Sequence, residues 1–194
     1  MNPPVVERIT IGATLPVPEP WRGLLASVRT GLGDPLGDVI APHITLIPPT
    51  AIRPPDLRAF VRHARSVATR FTPFRVELDG VSSFRPVSDV VYSPLTAGAS
   101  ECAALAAALR AGPATVDLAY PYHPHVTLAH NRGPGALVRA KTLLNGFCAG
   151  FPLEEIVLST STGSAAEWTP LQRLSLNATS TAPELAGLNF PSAS

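Results

Sequence analysis

The sequence predicts an α+β fold made by duplication: a bilobal chain of two pseudo-symmetric βαβαβ-like halves, with mainly antiparallel sheets lining a central cleft. Three observations carry this expectation. Pro42-His43-Ile44-Thr45-Leu46 returns as Pro124-His125-Val126-Thr127-Leu128, 82 positions later (125 against 43). The neighbours of the motif recur in the same order at that offset: the strand-like run Arg8 to Leu15 maps onto Val90 to Ala97, and the helix-like Trp21 to Thr30 onto Ala103 to Gly112. Leu57 to Ala68 and Phe74 to Val81 likewise map onto Arg139 to Gly150 and Ile156 to Gly163. A repeat with this many matched parts is the mark of an internally duplicated architecture.

Each element has its own signal. Arg8 to Leu15 places Ile9, Ile11, Ala13 and Leu15 on one side, the period-two pattern of a half-buried strand. Pro16 to Pro20 should end it. Trp21, Leu24, Leu25 and Val28 follow at helical spacing, with Gly31 suited to the left-handed position beyond the last turn. Val39 to Ile47 predicts the first motif strand, and the prolines from Pro48 to Pro55 a turn. Asp56 is placed to cap a helix with Leu57, Phe60, Val61, Ala64 and Val67 on its apolar side, and His63 with its flanking arginines on the solvated one.

Phe74 to Phe84 alternates as a strand that bends at Gly80, and Asp89 to Leu95 opens the second half. Ser100 is placed to cap the Ala/Leu-rich helix that ends before Gly112; Pro121 to His130 holds the second motif. Ala136 to Leu144 reads as a helix stopped by Gly146, and Ile156 to Thr162 and Leu171 to Leu176 as closing strands. Residues 1–176 are expected to form one domain, and Asn177 to Ser194, rich in Ser, Ala, Thr and Pro, a weakly held tail.

Composition narrows the partners. A chain of 194 residues with 45% hydrophobic and 15% charged residues can bury a sizeable core. Its formal net charge of +1 supplies no broad field for a long polyanion, so any nucleic-acid contact should be local. Cys102 and Cys148 both fall in helix-like stretches with no metal or redox spacing, which suits reduced thiols in a cytoplasm. No leader pattern opens the sequence and no run approaches a membrane span, so neither export nor insertion is expected.

The repeated motif defines the candidate chemistry. Residues i and i+2 of a strand share a face, so His43 with Thr45, and His125 with Thr127, each put an imidazole and a hydroxyl side by side. Two imidazoles facing one phosphorus suit phosphoester cleavage without a metal, one taking a proton from the attacking oxygen while the other donates one to the leaving oxygen. The two hydroxyls suit the non-bridging oxygens. A lone strand histidine is most often a packed, hydrogen-bonded residue. Matched placement in two halves is what distinguishes this pair.

With its two His-x-Thr motifs, the chain from Arg8 to Leu176 resembles the 2H phosphoesterase superfamily, the LigT-like or 2′-5′ RNA ligase-like proteins. The resemblance implies a bilobal fold, His43 and His125 as the catalytic pair, and Thr45 and Thr127 as phosphate-binding donors. It also implies hydrolysis of a 2′,3′-cyclic phosphate or 2′-5′ phosphodiester of a nucleotide or RNA end, with no cofactor and with reverse ligation as the same path run backwards. Many members carry a phosphate-binding arginine after the second motif, where this chain has His130.

Other residues complete the set. His123 shares strand parity with His125, whereas His130 has the opposite parity and reaches the site only if the strand has ended or twisted. Tyr122 is a possible accessory, and with Tyr120, Phe84 and Trp168 a candidate stacking platform for a base. Arg85 and Arg132 are candidate phosphate contacts. His123, His125 and His130 have no carboxylate or thiol at ligand spacing, so no metal is expected. The expected partner is a nucleotide or RNA terminus bearing a cyclic phosphate, the expected state a monomer. The alternatives are a non-catalytic nucleotide- or RNA-binding module and a phosphoesterase for a non-nucleotide cyclic phosphate.

Overall fold

The computed structural model describes residues 8–114, 116, 118–161 and 168–177. The elements within them run β1 (Ile9–Pro16), α1 (Trp21–Gly31), β2 (His43–Ile52), α2 (Leu57–Ala68), β3 (Phe74–Asp79) and β4 (Ser82–Ser83). The second half continues with β5 (Val90–Ala97), α3 (Ala99–Arg110), β6 (His125–His130), α4 (Gly135–Leu143), β7 (Cys148–Leu153), β8 (Glu155–Ser161) and β9 (Thr169–Ser175). Every strand pair among the described residues is antiparallel, in the order β7-β3-β5-β6-β2-β1-β8-β9, with β4 beside β5.

That order is symmetric about its centre. The motif strands β6 and β2 are the inner pair, each with the first strand of its own half beside it, β5 and β1. The third strand of each half then joins the other: β3 pairs with β5, and β8 with β1. The halves are thereby interleaved. The core lies between the helices and one face of the sheet, where Ile11, Ala13, Leu15, Ile44, Leu46, Val126 and Leu128 meet Leu25, Phe60, Leu105 and Leu109. Alternation sends the motif His and Thr side chains to the opposite face, which is half-buried.

Register corrects the repeat offset at the start of each half. Pro16 pairs with His43 and Pro94 with His125, so β1 maps onto β5 at 78 positions (94 against 16), not 82. At that offset Trp21–Gly31 falls on the start of α3 and covers nearly all of it, where the expected match took only its later turns. The difference is absorbed between α3 and β6, in a longer approach to the second motif.

Other expectations shift for physical reasons. The first motif strand starts at His43 and continues through Pro48 and Pro49 to Ile52; beyond the motif its ladder is to β1 alone, leaving a side where a missing N–H costs nothing. The left-handed residue after α1 is Gly33 (φ +74°), since Gly31 stays helical. Asp56 closes a 3₁₀ turn and pairs with Arg53 at 2.8 Å without capping α2. Gly98, left-handed at φ +79°, occupies the cap of α3, and Ser100 lies inside the first turn. Cys148 opens a strand, β7, hidden in sequence by Gly150 and Pro152; the bend at Gly80 (φ +65°) is present as expected. Of the proposed tail, only Asn177 is among the described residues.

Candidate active site

The two motifs are neighbours in the sheet. β2 and β6 meet at Ile44 opposite Val126, and extending that antiparallel register by one residue puts His43 opposite Thr127 and Thr45 opposite His125. Each imidazole therefore has the hydroxyl of the other motif across the strand as well as its own along it. Opposed side chains in such a ladder stand ~4.5–5.5 Å apart at Cβ, close enough for all four to address one phosphate.

The histidines share one backbone restraint. His43 Nδ1 lies 2.8 Å from the Ala41 carbonyl, and His125 Nδ1 lies 2.7 Å from the His123 carbonyl. A carbonyl only accepts, so in each ring Nδ1 carries the hydrogen and donates it; Nε2 is left as the exchanging nitrogen. Burial lowers the pKa of both rings, only partly offset by these bonds. For His43, the Arg29 and His130 charges lower it further, and for His125 those of His123, His43 and His130. The resting pair is neutral near pH 7.

A bulge decides where His130 points. Tyr92 pairs with Thr127 but Val91 with Ala129, so Leu128 is an extra residue in β6 and parity inverts after it. Leu128 and Ala129 are both buried, and His130 returns to the open face. The first motif has the same bulge: Thr14 pairs with Thr45 and Ala13 with Ile47, leaving Leu46 over and placing Pro48 at the position matching His130. His130 Nδ1 stands 3.5 Å from Asp34 Oδ2, the same oxygen that receives Arg29 Nε at 3.3 Å and Nη2 at 3.1 Å. Sequence reasoning missed this buried pair. Its only trace in sequence is Arg29 standing four residues after Leu25, on the apolar side of α1.

Aromatic rings flank the motif strands. Phe84 and Tyr92 stack at 4.1 Å, and each meets His125 edge-on, at 4.9 and 5.2 Å between centroids. His123 joins them, 5.4 Å from Phe84 and 6.3 Å from His125. Beyond β2, the indole of Trp168 lies over Gly12, 3.1 Å from where a Cβ would stand. Tyr122 is tied to β2: its hydroxyl donates to the Thr45 carbonyl at 2.8 Å, burial pushes its pKa up, and the Arg110 guanidinium stands 5.2 Å from the ring centre. Tyr120 is exposed.

Among the arginines, Arg85 pairs with Asp89 at 2.5 Å and Arg132 donates Nε to the His130 carbonyl at 3.2 Å. His63 is not a solvated side chain, since its Nε2 lies 2.9 Å from the Ala108 carbonyl near the end of α3. Among the described residues, no three His, Cys, Asp or Glu side chains converge as metal ligands. A depression of about 420 Å³ beside Arg70, Phe71, Phe74 and Glu101 includes none of the motif residues.

A symmetric antiparallel sheet with two imidazole–hydroxyl pairs at its centre defines a class, and the sequence agrees with it. Residues 16–165 match the 2′-5′ RNA ligase superfamily, and the chain belongs to that family. Among curated proteins, a provisionally named phosphoesterase of Bacillus cytotoxicus is 31% identical over 96 residues, 50% of this chain and 55% of the relative. A protein of the same provisional name from Bacillus thuringiensis is 30% identical over 95 residues, 49% of this chain and 55% of its own. The chain spans about half the length of the curated relatives it matches.

Solved structures agree in fold. Escherichia coli LigT complexed with NADP⁺ superposes with a TM-score of 0.67 at 22% identity, covering 88% of this chain and 99% of LigT. LigT has also been solved with 3′-AMP, at a TM-score of 0.64 and 20% identity over the same shares. TT0787 of Thermus thermophilus gives 0.63 at 22% identity, over 86% and 97% of the two chains.

Proposed function

We propose that this protein is a phosphoesterase that hydrolyses a 2′,3′-cyclic phosphate or a 2′-5′ phosphodiester of a nucleotide or RNA end, using His43 and His125 as an acid–base pair. The observation that carries the reading is the pair of matched Nδ1–H bonds to the Ala41 and His123 carbonyls, which leaves two Nε2 atoms to exchange protons on the same face. With one ring protonated and one neutral, the neutral Nε2 takes a proton from water as the water oxygen bonds to phosphorus. The other Nε2–H gives its proton to the ribose oxygen as its bond to phosphorus breaks. The products are a phosphomonoester and a free ribose hydroxyl, with one proton moved across the site.

Thr45 and Thr127 donate their hydroxyl hydrogens to the non-bridging oxygens as charge gathers there. Phe84 and Trp168 on the flanks offer faces for a base, and LigT, similar in fold, has been solved with 3′-AMP. No helix of the described residues is long and apolar enough to cross a membrane, and Cys102 and Cys148 are both free thiols, which suits action on nucleotides in a cytoplasm.

The test is hydrolysis of 2′,3′-cyclic nucleotides and of RNA ending in a cyclic phosphate, with chelator present, resolving the 2′- from the 3′-monophosphate. One isomer should accumulate with both substrates or with RNA alone. Absence of turnover on both, with nucleotide still bound, would turn the site into a recognition module.

A further inference from the structure

We propose that Arg29, held by Asp34, is a positioning residue for His43: by gripping the Ile40 carbonyl it fixes the peptide plane next to the Ala41 carbonyl, which sets the His43 tautomer. The inference deepens the phosphoester reading above and rests on it for the role of His43.

The guanidinium spans the connection between α1 and β2. Its Nε and Nη2 donate to Asp34 Oδ2 at 3.3 and 3.1 Å, and its Nη1 donates to the Ile40 carbonyl at 2.5 Å. Both side chains lie inside the protein, with 3% of Arg29 and none of Asp34 exposed. Asp34 is itself held, because its Oδ1 accepts the Leu36 N–H at 3.1 Å. A buried ion pair is often no more stabilising than apolar residues of the same size. What the fork adds here is direction, since it grips two separate points of one connection.

At the far point lies the hydrogen bond on which the acid–base pair depends. Three successive carbonyls each accept a donor: Ile40 from Arg29 Nη1, Ala41 from His43 Nδ1 at 2.8 Å, and Pro42 from the Val17 N–H at 3.1 Å. Downstream, the Pro42 ring and its bond to Val17 hold the chain, and a residue before proline is confined to extended conformations. Upstream, the Ile40 N–H bonds the Leu36 carbonyl at 2.9 Å, which leaves the next peptide plane to Arg29. Free to turn, that plane would carry the Ala41 carbonyl off the ring, and Nδ1 would lose the bond that keeps its hydrogen there. A hydrogen moved to Nε2 leaves that nitrogen no lone pair with which to take a proton from water.

The second half has no such device. At the 78-position offset Arg29 falls on Ala107 and Asp34 on Gly112 (107 against 29, 112 against 34), and the approach to His125 is tied through Tyr122 instead. The effect of Arg29 is therefore confined to one ring of the pair, and His125 serves as an internal control.

NMR of the full chain reads the tautomers from the imidazole nitrogen shifts on the alkaline side of their titration, alongside kinetics on a 2′,3′-cyclic nucleotide. The variants are Arg29→Lys and the double change Arg29→Met with Asp34→Asn, the latter also in a His43→Ala background. The double change leaves no buried charge unpaired and keeps an acceptor for the Leu36 N–H. It should convert a large share of neutral His43 to the Nε2–H form and leave His125 as in wild type. It should also lower kcat about tenfold with little change in KM, the factor of one ordinary hydrogen bond, and cost almost nothing once His43 is absent. Arg29→Lys grips one point at a time, so it should show both effects in milder form; it decides the matter should the double change not fold.

An unchanged His43 tautomer in a folded variant would overturn the proposal, as would a kcat loss of the same size without His43. A tautomer change in a chain that cleaves no cyclic phosphate would sink the phosphoesterase reading alone. Cleavage by a wild type whose His43 tautomer is indifferent to Arg29 would sink this inference alone.

Discussion

His43 and His125 each spend Nδ1–H on a carbonyl two residues back, so one hydrogen bond fixes both tautomer and ring orientation. Burial lowers both pKa values below the ordinary 6.5. In the free protein the singly protonated pair then becomes populated only on the acid side of that value. kcat/KM should therefore be bell-shaped with its optimum below pH 6.5, and kcat, where bound phosphate charge favours imidazolium, should peak at higher pH. Steady-state rates from pH 5 to 9 check this, and a kcat/KM optimum above pH 7.5 would contradict it. Stability follows the same shifts. The unfolded chain binds more protons near pH 6, so the stability these rings contribute is complete above their unfolded pKa and is lost as pH falls through the folded values.

The motif residues are readable in sequence because strand parity is local: His-x-Thr puts both side chains on one face whatever surrounds them. Asp34 is not, since Gly33-Asp34-Pro35 reads as an ordinary turn and its bond to Arg29 depends on how α1 meets the sheet. His130 depends on a bulge, which the alternation of β6 cannot disclose.

At the scale of elements, prolines and glycines punctuate the chain differently from their sequence reading. Most strands and helices lie within a few residues of their expected places, because their apolar periodicity is strong. Caps and short edge strands escape it: Asp56 prefers Arg53 to the helix end, and β7 offers only Ala149, Phe151 and Leu153 as inward residues, interrupted by a glycine and a proline. Gly98 is the sharpest constraint. A Cβ there would stand 2.6 Å from the Arg75 carbonyl oxygen, in a left-handed backbone conformation. Gly98→Ala should destabilise the fold by about 1–3 kcal/mol in urea unfolding, and an unchanged midpoint would contradict the β3–β5 packing.

Tyr122 ties the α3–β6 connection to β2 through the Thr45 carbonyl, 77 residues away. Removing its hydroxyl removes that tie. Tyr122→Phe should cost about 0.5–1.5 kcal/mol and lower kcat more than it raises KM, because it loosens the strand that carries His43 and Thr45. A variant with weaker substrate binding and normal kcat would place Tyr122 at the substrate.

For the whole molecule, the strand order explains why a duplicated chain acts as one unit. β3 and β8 each complete the partner half, so neither motif strand has a full sheet without the other half. That interleaving supports the expectation, which we keep as a proposal, that residues 1–176 form one domain. Sequence conveys the duplication through its repeated pentapeptide, whereas the exchange of third strands is a long-range pairing that no local pattern encodes. The candidate site lies where the halves meet, on the seam between Ile44 and Val126.

Two imidazoles acting on one phosphorus must fail together. The decisive measurement is turnover of a 2′,3′-cyclic nucleotide by wild type, His43→Ala, His125→Ala and the double variant, with folding checked by circular dichroism. Each single change should lower kcat by roughly 10²–10⁴-fold, and the double change should cost little more than the worse single one. Near-normal turnover in either single variant, or losses that multiply fully in the double, would contradict a concerted histidine pair.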